Sequence, residues 1–218
     1  MTAKLITGVI LTAALMQVAC GQESQFVIAF LNTNPSREKL SERAQDSIQN
    51  AHMANINRLA NEGKLLAAGP FEGGGGIFVL NTKDVREAEA WVQTDPGVHA
   101  HRWNLEYVVY TPRVGSICKV EGKLTMVMYR FVRYTPRDTA SAQSLARGWD
   151  AHSMHVRAIG ARDSVIAEGS FAGEKGGLLV VRGPLDEAFV REDPSLRQGI
   201  FDARFAELYI ARGAFCER

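Results

Sequence analysis

The sequence predicts an α+β fold made twice in one chain: two tandem β-α-β-β-α-β units packed together as an intramolecular pseudo-dimer. Three observations predict it. Short motifs recur in the same order, 98 to 101 residues apart. Each copy carries the same succession of apolar runs and amphipathic stretches. A short apolar segment precedes the first copy and reads differently from all that follows.

The recurring motifs are short but ordered. Asn34-Pro35 aligns with Thr135-Pro136, and Ala51-His52 with Ala151-His152. Gly69-Pro70-Phe71 aligns with Gly169-Ser170-Phe171, and Gly75-Gly76-Ile77-Phe78-Val79-Leu80 with Gly176-Gly177-Leu178-Leu179-Val180-Val181. Asp95-Pro96 aligns with Asp193-Pro194, and Ser116-Ile117-Cys118 with Ala214-Phe215-Cys216.

The elements follow in the same order in both copies. Phe26 to Leu31 and Leu124 to Val132 read as first strands. Asn34 and Thr135 are good N-caps, and the prolines after them suit a first helical position, so long helices are expected from there to about Asn61 and Gly160. Leu65 to Ala68 and Val165 to Ala167 read as short strands; glycine-bearing loops then turn the chain into Ile77 to Leu80 and Leu178 to Val181. Short helices from Asp84 to Gln93 and Leu185 to Arg191 end before Asp-Pro, because the residue before proline disfavours helical geometry. Trp103 to Tyr110 and Arg204 to Ala211 close the copies. This order is the ferredoxin-like, split βαβ plan. Its sheet carries helices on one face only, so two copies bury their bare faces against each other. The repeats span residues 25–112 and 123–216, joined by a linker over 113–122 that holds Gly115 and Gly122.

The first 20 residues have the order of an export signal: Lys4, an apolar run from Leu5 to Met16, then small residues and Cys20. That run is too short to span a bilayer, which needs about 20 apolar residues. Gln17-Val18-Ala19-Cys20-Gly21 resembles the lipobox of bacterial lipoproteins, with Gln17 where Leu is usual; this implies lipidation at Cys20. Ordinary cleavage near Ala19 or Gly21 is the other reading. Both place the mature chain outside the cytoplasm, in the periplasm or cell envelope, touching the membrane only through a lipid anchor.

Composition narrows function by exclusion. Apolar residues make up 46%, enough for a core, while a net charge of +1 offers no basic footprint for nucleic acid. His99-x-His101 and His152-x-x-His155 are the only close histidine pairs and neither recurs in the other copy, so no metal is expected. The Gly73 to Gly76 loop runs into a strand rather than a helix N-terminus, so it reads as a hairpin rimming a pocket, not a phosphate loop. No cofactor is expected. Trp103 and Tyr107 share one strand face and Tyr110 the other, which suits packing rather than base stacking.

A helix carrying Ala-His, a strand ending Gly-Pro-Phe, a Gly-rich turn into an apolar strand and a helix ending Asp-Pro resemble the YCII-related domain. The first copy matches through His52, Gly69-Pro70-Phe71, Gly75-Gly76 and Asp95-Pro96; in the second, Ser170 stands in place of proline. The resemblance implies a ferredoxin-like fold of the dimeric α/β barrel type. It also implies a His–Asp active pair and small cyclic or aromatic substrates.

His52 shares a helical stripe with Ile48, Ile56 and Leu59, and His152 with Trp149, Val156 and Ile159, so each faces the sheet. His52 with Asp95, and His152 with Asp193, are the candidate catalytic pairs: a carboxylate orients the ring and stabilises its cation. The plain structural reading makes each histidine a core residue and each aspartate a turn cap. No nucleophile recurs beside either pair, which favours isomerase or lyase chemistry by general acid–base catalysis. A non-catalytic binding or structural envelope lipoprotein is the competing reading. Gly69, Pro70, Phe71 and Phe171 are the expected substrate contacts. Cys118 and Cys216 end the two copies; near a pseudo-twofold axis, in an oxidising compartment, they read as a disulfide or as two buried thiols.

Overall fold

The computed structural model describes residues 24–160, 164–183 and 187–217. The expected signal segment, including Cys20, lies outside these, as does Leu185. The first half runs β1 (Phe26–Thr33), α1 (Glu42–Asn61), β2 (Leu65–Pro70), β3 (Gly76–Leu80), α2 (Val85–Val92), α3 (Pro96–His99) and β4 (Trp103–Val114). The second runs β5 (Met126–Pro136), α4 (Ala142–Gly160), β6 (Val165–Phe171), β7 (Gly177–Val181), α5 (Glu187–Arg191), α6 (Pro194–Arg197) and β8 (Phe201–Ala211).

All eight strands join in one antiparallel sheet, ordered β2-β3-β1-β4-β6-β7-β5-β8. The seam between the halves is β4 against β6, where Tyr110 faces Phe171 and Ala172 N–H donates to Val109 O at 2.8 Å. The two ends of the order also meet. Phe71 bridges Leu208, and Glu72 N–H donates to Glu207 O at 2.9 Å. Both junctions need a glycine: a Cβ on Gly69 would lie 2.5 Å from Tyr209 O, and one on Gly169 2.3 Å from Thr111 O.

Strand sequences are apolar on both faces because both faces are buried. On β1, Phe26, Ile28 and Phe30 enter a central cluster with Phe131, Phe171 and Leu208, while Val27, Ala29 and Leu31 pack under the helices of the first half. The second half has its own helix-facing cluster around Val132, Tyr134, Val156 and Val190. Tyr110 sits in the central cluster, with Trp103 and Tyr107 on the opposite face, as the alternation requires.

Three local expectations differ from the structure. Asn34 and Thr135 do not cap helices. Asn34 Oδ1 accepts the Ser36 N–H at 3.0 Å in a turn, and Thr135-Pro136 continues β5. Ser41 and Ser141 cap instead, accepting from Ala44 N–H at 3.4 Å and Ser144 N–H at 3.2 Å. Proline's fixed φ suits a turn or strand end as well as a helix start, so it did not decide between them. Asp-Pro does not only end a helix: Asp95 and Asp193 begin α3 and α6, with proline in the first turn. Finally, β4 continues to Val114, because its far end pairs with β6, with a bulge between Pro112 and Val114.

Cys118 and Cys216 are joined, with Cα atoms 5.1 Å apart. Beside them Cys118 N–H donates to Ala214 O at 3.0 Å, so the connector and the C-terminal segment run together.

Candidate active site

α1 places His52 and Asn55 on one face, three residues apart, which brings both to the same neighbour. That neighbour is Asp95, fully buried at the start of α3. Its two oxygens divide the work. Oδ1 accepts the Gly97 N–H at 2.8 Å and so caps the helix; Oδ2 binds His52 Nδ1 at 2.8 Å and Asn55 Nδ2 at 3.2 Å. The catalytic and capping readings of this aspartate are therefore compatible. Asn55 is itself held, its Oδ1 accepting from Arg58 Nη2 at 2.8 Å and Thr94 Oγ1 at 3.1 Å.

A carboxylate that already accepts backbone and amide hydrogens assigns Nδ1 of His52 as the donor. The neutral ring then carries its lone pair on Nε2. Nε2 has no hydrogen-bond partner among the described residues. The ring stacks on Phe78 at 5.8 Å, lies 4.9 Å from Trp103, and forms part of the wall of a cavity of about 730 Å³. That volume is in the range of small-molecule sites. Gly69 and Pro70 line the same cavity, and so do Gly75 and Gly76. The turn before Gly76 needs its glycines, since Gly73, Gly74 and Gly75 all have φ between 76° and 115°. Phe71 and Phe171 are not on this wall. Their rings go to the central cluster, Phe71 5.2 Å from Phe131 and Phe171 6.0 Å from Phe30.

The second half has a like pair without the open space. His152 Nδ1 lies 2.5 Å from Asp193 Oδ2, and Asp193 Oδ1 accepts from Ser195 N–H and Oγ at 2.9 and 2.7 Å. Both His152 and Asp193 are 0% exposed. On the other side of the ring, Nε2 faces Glu168 Oε1 at 3.5 Å, an electrostatic contact rather than a hydrogen bond. Glu168 is clamped in turn by the Arg113 guanidinium. Burial opposes a charge on His152, but Asp193 and Glu168 outweigh it and raise its pKa above the ordinary value. Burial likewise works against ionising the two carboxylates; His152, with Arg113 at Glu168 and Ser195 at Asp193, holds both below their ordinary values. With His152 protonated, Asp193, His152, Glu168 and Arg113 form a chain of alternating charges, buried except at its Arg113 end.

Strand register shows how the two sites differ. Leu31 opposes Gly76 as Tyr134 opposes Gly177, and Ala68 opposes Phe78 as Glu168 opposes Leu179. Gln49 and Trp149 each stand three residues before their histidine. Ala211 follows the strand residues that meet Gly69, as Arg113 follows those that meet Gly169. Leu31, Gln49, Ala68 and Ala211 all line the open cavity. Their larger counterparts fill the second: Trp149 stacks on His152 at 4.8 Å, Tyr134 lies 4.3 Å from it, and Arg113 covers Trp149 at 4.6 Å. Glu168 and Arg113 escaped the sequence reading, although a lone carboxylate inside Val165-Ile166-Ala167-Glu168 was a visible sign of a buried charge. Asn55 and Thr94 escaped it too, having no catalytic residue type to mark them.

Comparison with solved structures finds similar folds at low identity. A candidate monooxygenase of Lactobacillus acidophilus NCFM is 10% identical, with a TM-score of 0.46 over 86% of this chain and 94% of its own. One of Fusobacterium nucleatum subsp. nucleatum ATCC 25586 is 12% identical, with a TM-score of 0.47 over 86% and 92%. An anthrone oxidase-like protein is 8% identical, with a TM-score of 0.50 over 87% and 92%, a likeness of fold. No curated protein sequence matches the chain. The segment from Phe26 to Tyr110, which holds His52, Asp95 and most of the open cavity's wall, matches the YCII-related domain.

Proposed function

We propose that the chain is an exported protein of two diverged YCII-like, ferredoxin-like units, forming a pseudo-dimer of the dimeric α/β barrel type. In this reading the first unit is an acid–base enzyme, of isomerase or lyase type, acting on a small organic molecule. One observation carries the catalytic part: of the two histidines bonded to a buried aspartate, His52 lines the open cavity while His152 is fully buried. Neutral His52 takes a proton from an acidic C–H of the substrate through Nε2. Asp95 stabilises the imidazolium that forms, through the Nδ1–H bond. An isomerase returns that proton to another carbon. A lyase expels a leaving group as the carbon–carbon double bond forms, and the proton then passes to solvent.

Support for duplication comes from the matched element order, the matched glycine junctions and the two His–Asp pairs. The leader-like segment ending at Cys20 and the joined Cys118 and Cys216 favour export, with lipidation of Cys20 as the anchor. In the second unit the sealed pair favours a structural role, so that unit is the non-catalytic one.

The test is exchange of acidic C–H for deuterium in D2O, followed by NMR across a panel of cyclic ketones and lactones. Wild-type protein should catalyse exchange in at least one compound. His52→Ala should lower that rate by about 10²-fold or more, while His152→Ala should leave it within a few-fold in folded protein. Retained exchange in His52→Ala, or none in wild type across the panel, would end the catalytic reading.

A further inference from the structure

The open cavity has an uneven distribution of charge that acid–base chemistry at His52 does not explain. Its inner wall is apolar, with Ile56, Leu65, Ile77, Phe78 and Trp103. Three cations also line it: Arg37 and Lys119, both exposed, and Arg102, half-buried, whose Nη1 donates to Glu38 O at 2.8 Å. Asp46 is the single lining carboxylate among the described residues. None of the three cations has a carboxylate partner among the described residues, although Arg58, Arg113, Arg130, Arg133 and Arg137 all do. The cations also belong to the open site alone. Ile200 stands in the second half at the place of Arg102, and Glu217 follows Cys216 where Lys119 follows Cys118. The half that closed its cavity has therefore also lost these charges.

We propose that this cavity takes an organic carboxylate: an apolar, ring-sized body seated against Phe78, Trp103 and Leu65, with its carboxylate held at the mouth by Arg37, Arg102 and Lys119. An apolar wall gives contact area, and unpaired cations at an entrance select and steer an anion. Exposed Met53 and Leu124 extend the apolar lining to the mouth. Such an acid would sit with its ring carbons at His52, so the inference rests on the site proposed above. Its test is nevertheless separate, because it reads binding and not turnover.

The probes are 2-naphthoate and its neutral counterpart 2-naphthamide, titrated calorimetrically into the intact chain from Gln25 to the C-terminus. Naphthoate should bind about tenfold more tightly than the amide at low salt, and the difference should shrink as salt is raised. Arg37→Glu/Lys119→Glu should remove most of that preference, while Arg86→Glu, exposed and outside the cavity, should not. Ala68→Glu/Ala211→Arg, which brings in the groups that fill the second half, should abolish binding of both probes. His52→Ala should keep the preference; that result together with no exchange by the wild-type protein would uphold the ligand class and sink the catalytic reading. Equal binding of the two probes, no binding of either at millimolar concentration, or a preference untouched by the double charge reversal would overturn the proposal.

Discussion

Removing Glu168 should show how strongly the closed site is locked. Glu168 is 2% exposed and holds two cations at once, Arg113 through its guanidinium and His152 across 3.5 Å. Breaking a buried ion pair by deleting one partner costs about 3–5 kcal/mol, because the other charge is stranded. Arg113 has a side chain 28% exposed and can recover some hydration, which places Glu168→Ala near the lower end, about 3 kcal/mol. His152 keeps Asp193 and loses only its weaker partner. Arg113→Ala/Glu168→Ala removes both charges of the clamp and should cost less than the sum of the two single changes, by at least about 1 kcal/mol. Urea unfolding of wild type, both singles and the double closes this cycle. For a chain of this size, 3 kcal/mol lowers the thermal midpoint by about 6–12 °C. If Glu168→Ala costs under about 1 kcal/mol, or the singles simply add, the alternating-charge account of the second half is wrong.

Two further outcomes follow from the same geometry. The network around His152 should give stability a defined pH window. The raised pKa of His152 gives stabilisation that is whole below its ordinary 6.5 and fades as pH climbs through the raised value. The lowered pKa values of Glu168 and Asp193 give stabilisation that is whole above their ordinary 4.5 and 3.8 and fades as pH falls through the lowered values. Urea midpoints should therefore peak between about pH 4.5 and 6.5, and His152→Gln should flatten the alkaline side; an unchanged alkaline slope in that variant would contradict this. Cys118 and Cys216 close a loop over 98 residues, so Cys118→Ser/Cys216→Ser should lose about 4 kcal/mol in urea unfolding. An unchanged midpoint would mean the link adds nothing to the fold.

Much of the fold can be read from the sequence where burial leaves a period. Phe26 to Leu31 and Gly177 to Val181 are apolar throughout because each faces a core on both sides. The His–Asp pairs were legible through the resemblance to the YCII-related domain, while the helical stripe by itself told only that each histidine faces the sheet. Helix starts were less so, because Asn-Pro and Thr-Pro are compatible with turns and strand ends, and the serines that do cap lie seven and six residues further along. Least legible was the difference between the two sites. It rests on residues from distant elements, such as Arg113 reaching Glu168 from β4, and pairings of that kind leave no local pattern. Phe71 and Phe171, expected as substrate contacts, stand instead at the junction between the halves and off the wall of the open cavity; a recurring motif by itself does not distinguish those two places.

Those junctions bear on how the chain can change by mutation. Each half borrows from the other: Arg113, on the last strand of the first half, closes the site of the second, while Ala211, on the last strand of the second, leaves the first open. In a dimer of two identical subunits every substitution appears twice, so an Arg–Glu clamp that seals one site seals both. Here the codons for the two sites are separate. One site can fill with a rigid charged core while the other keeps its cavity.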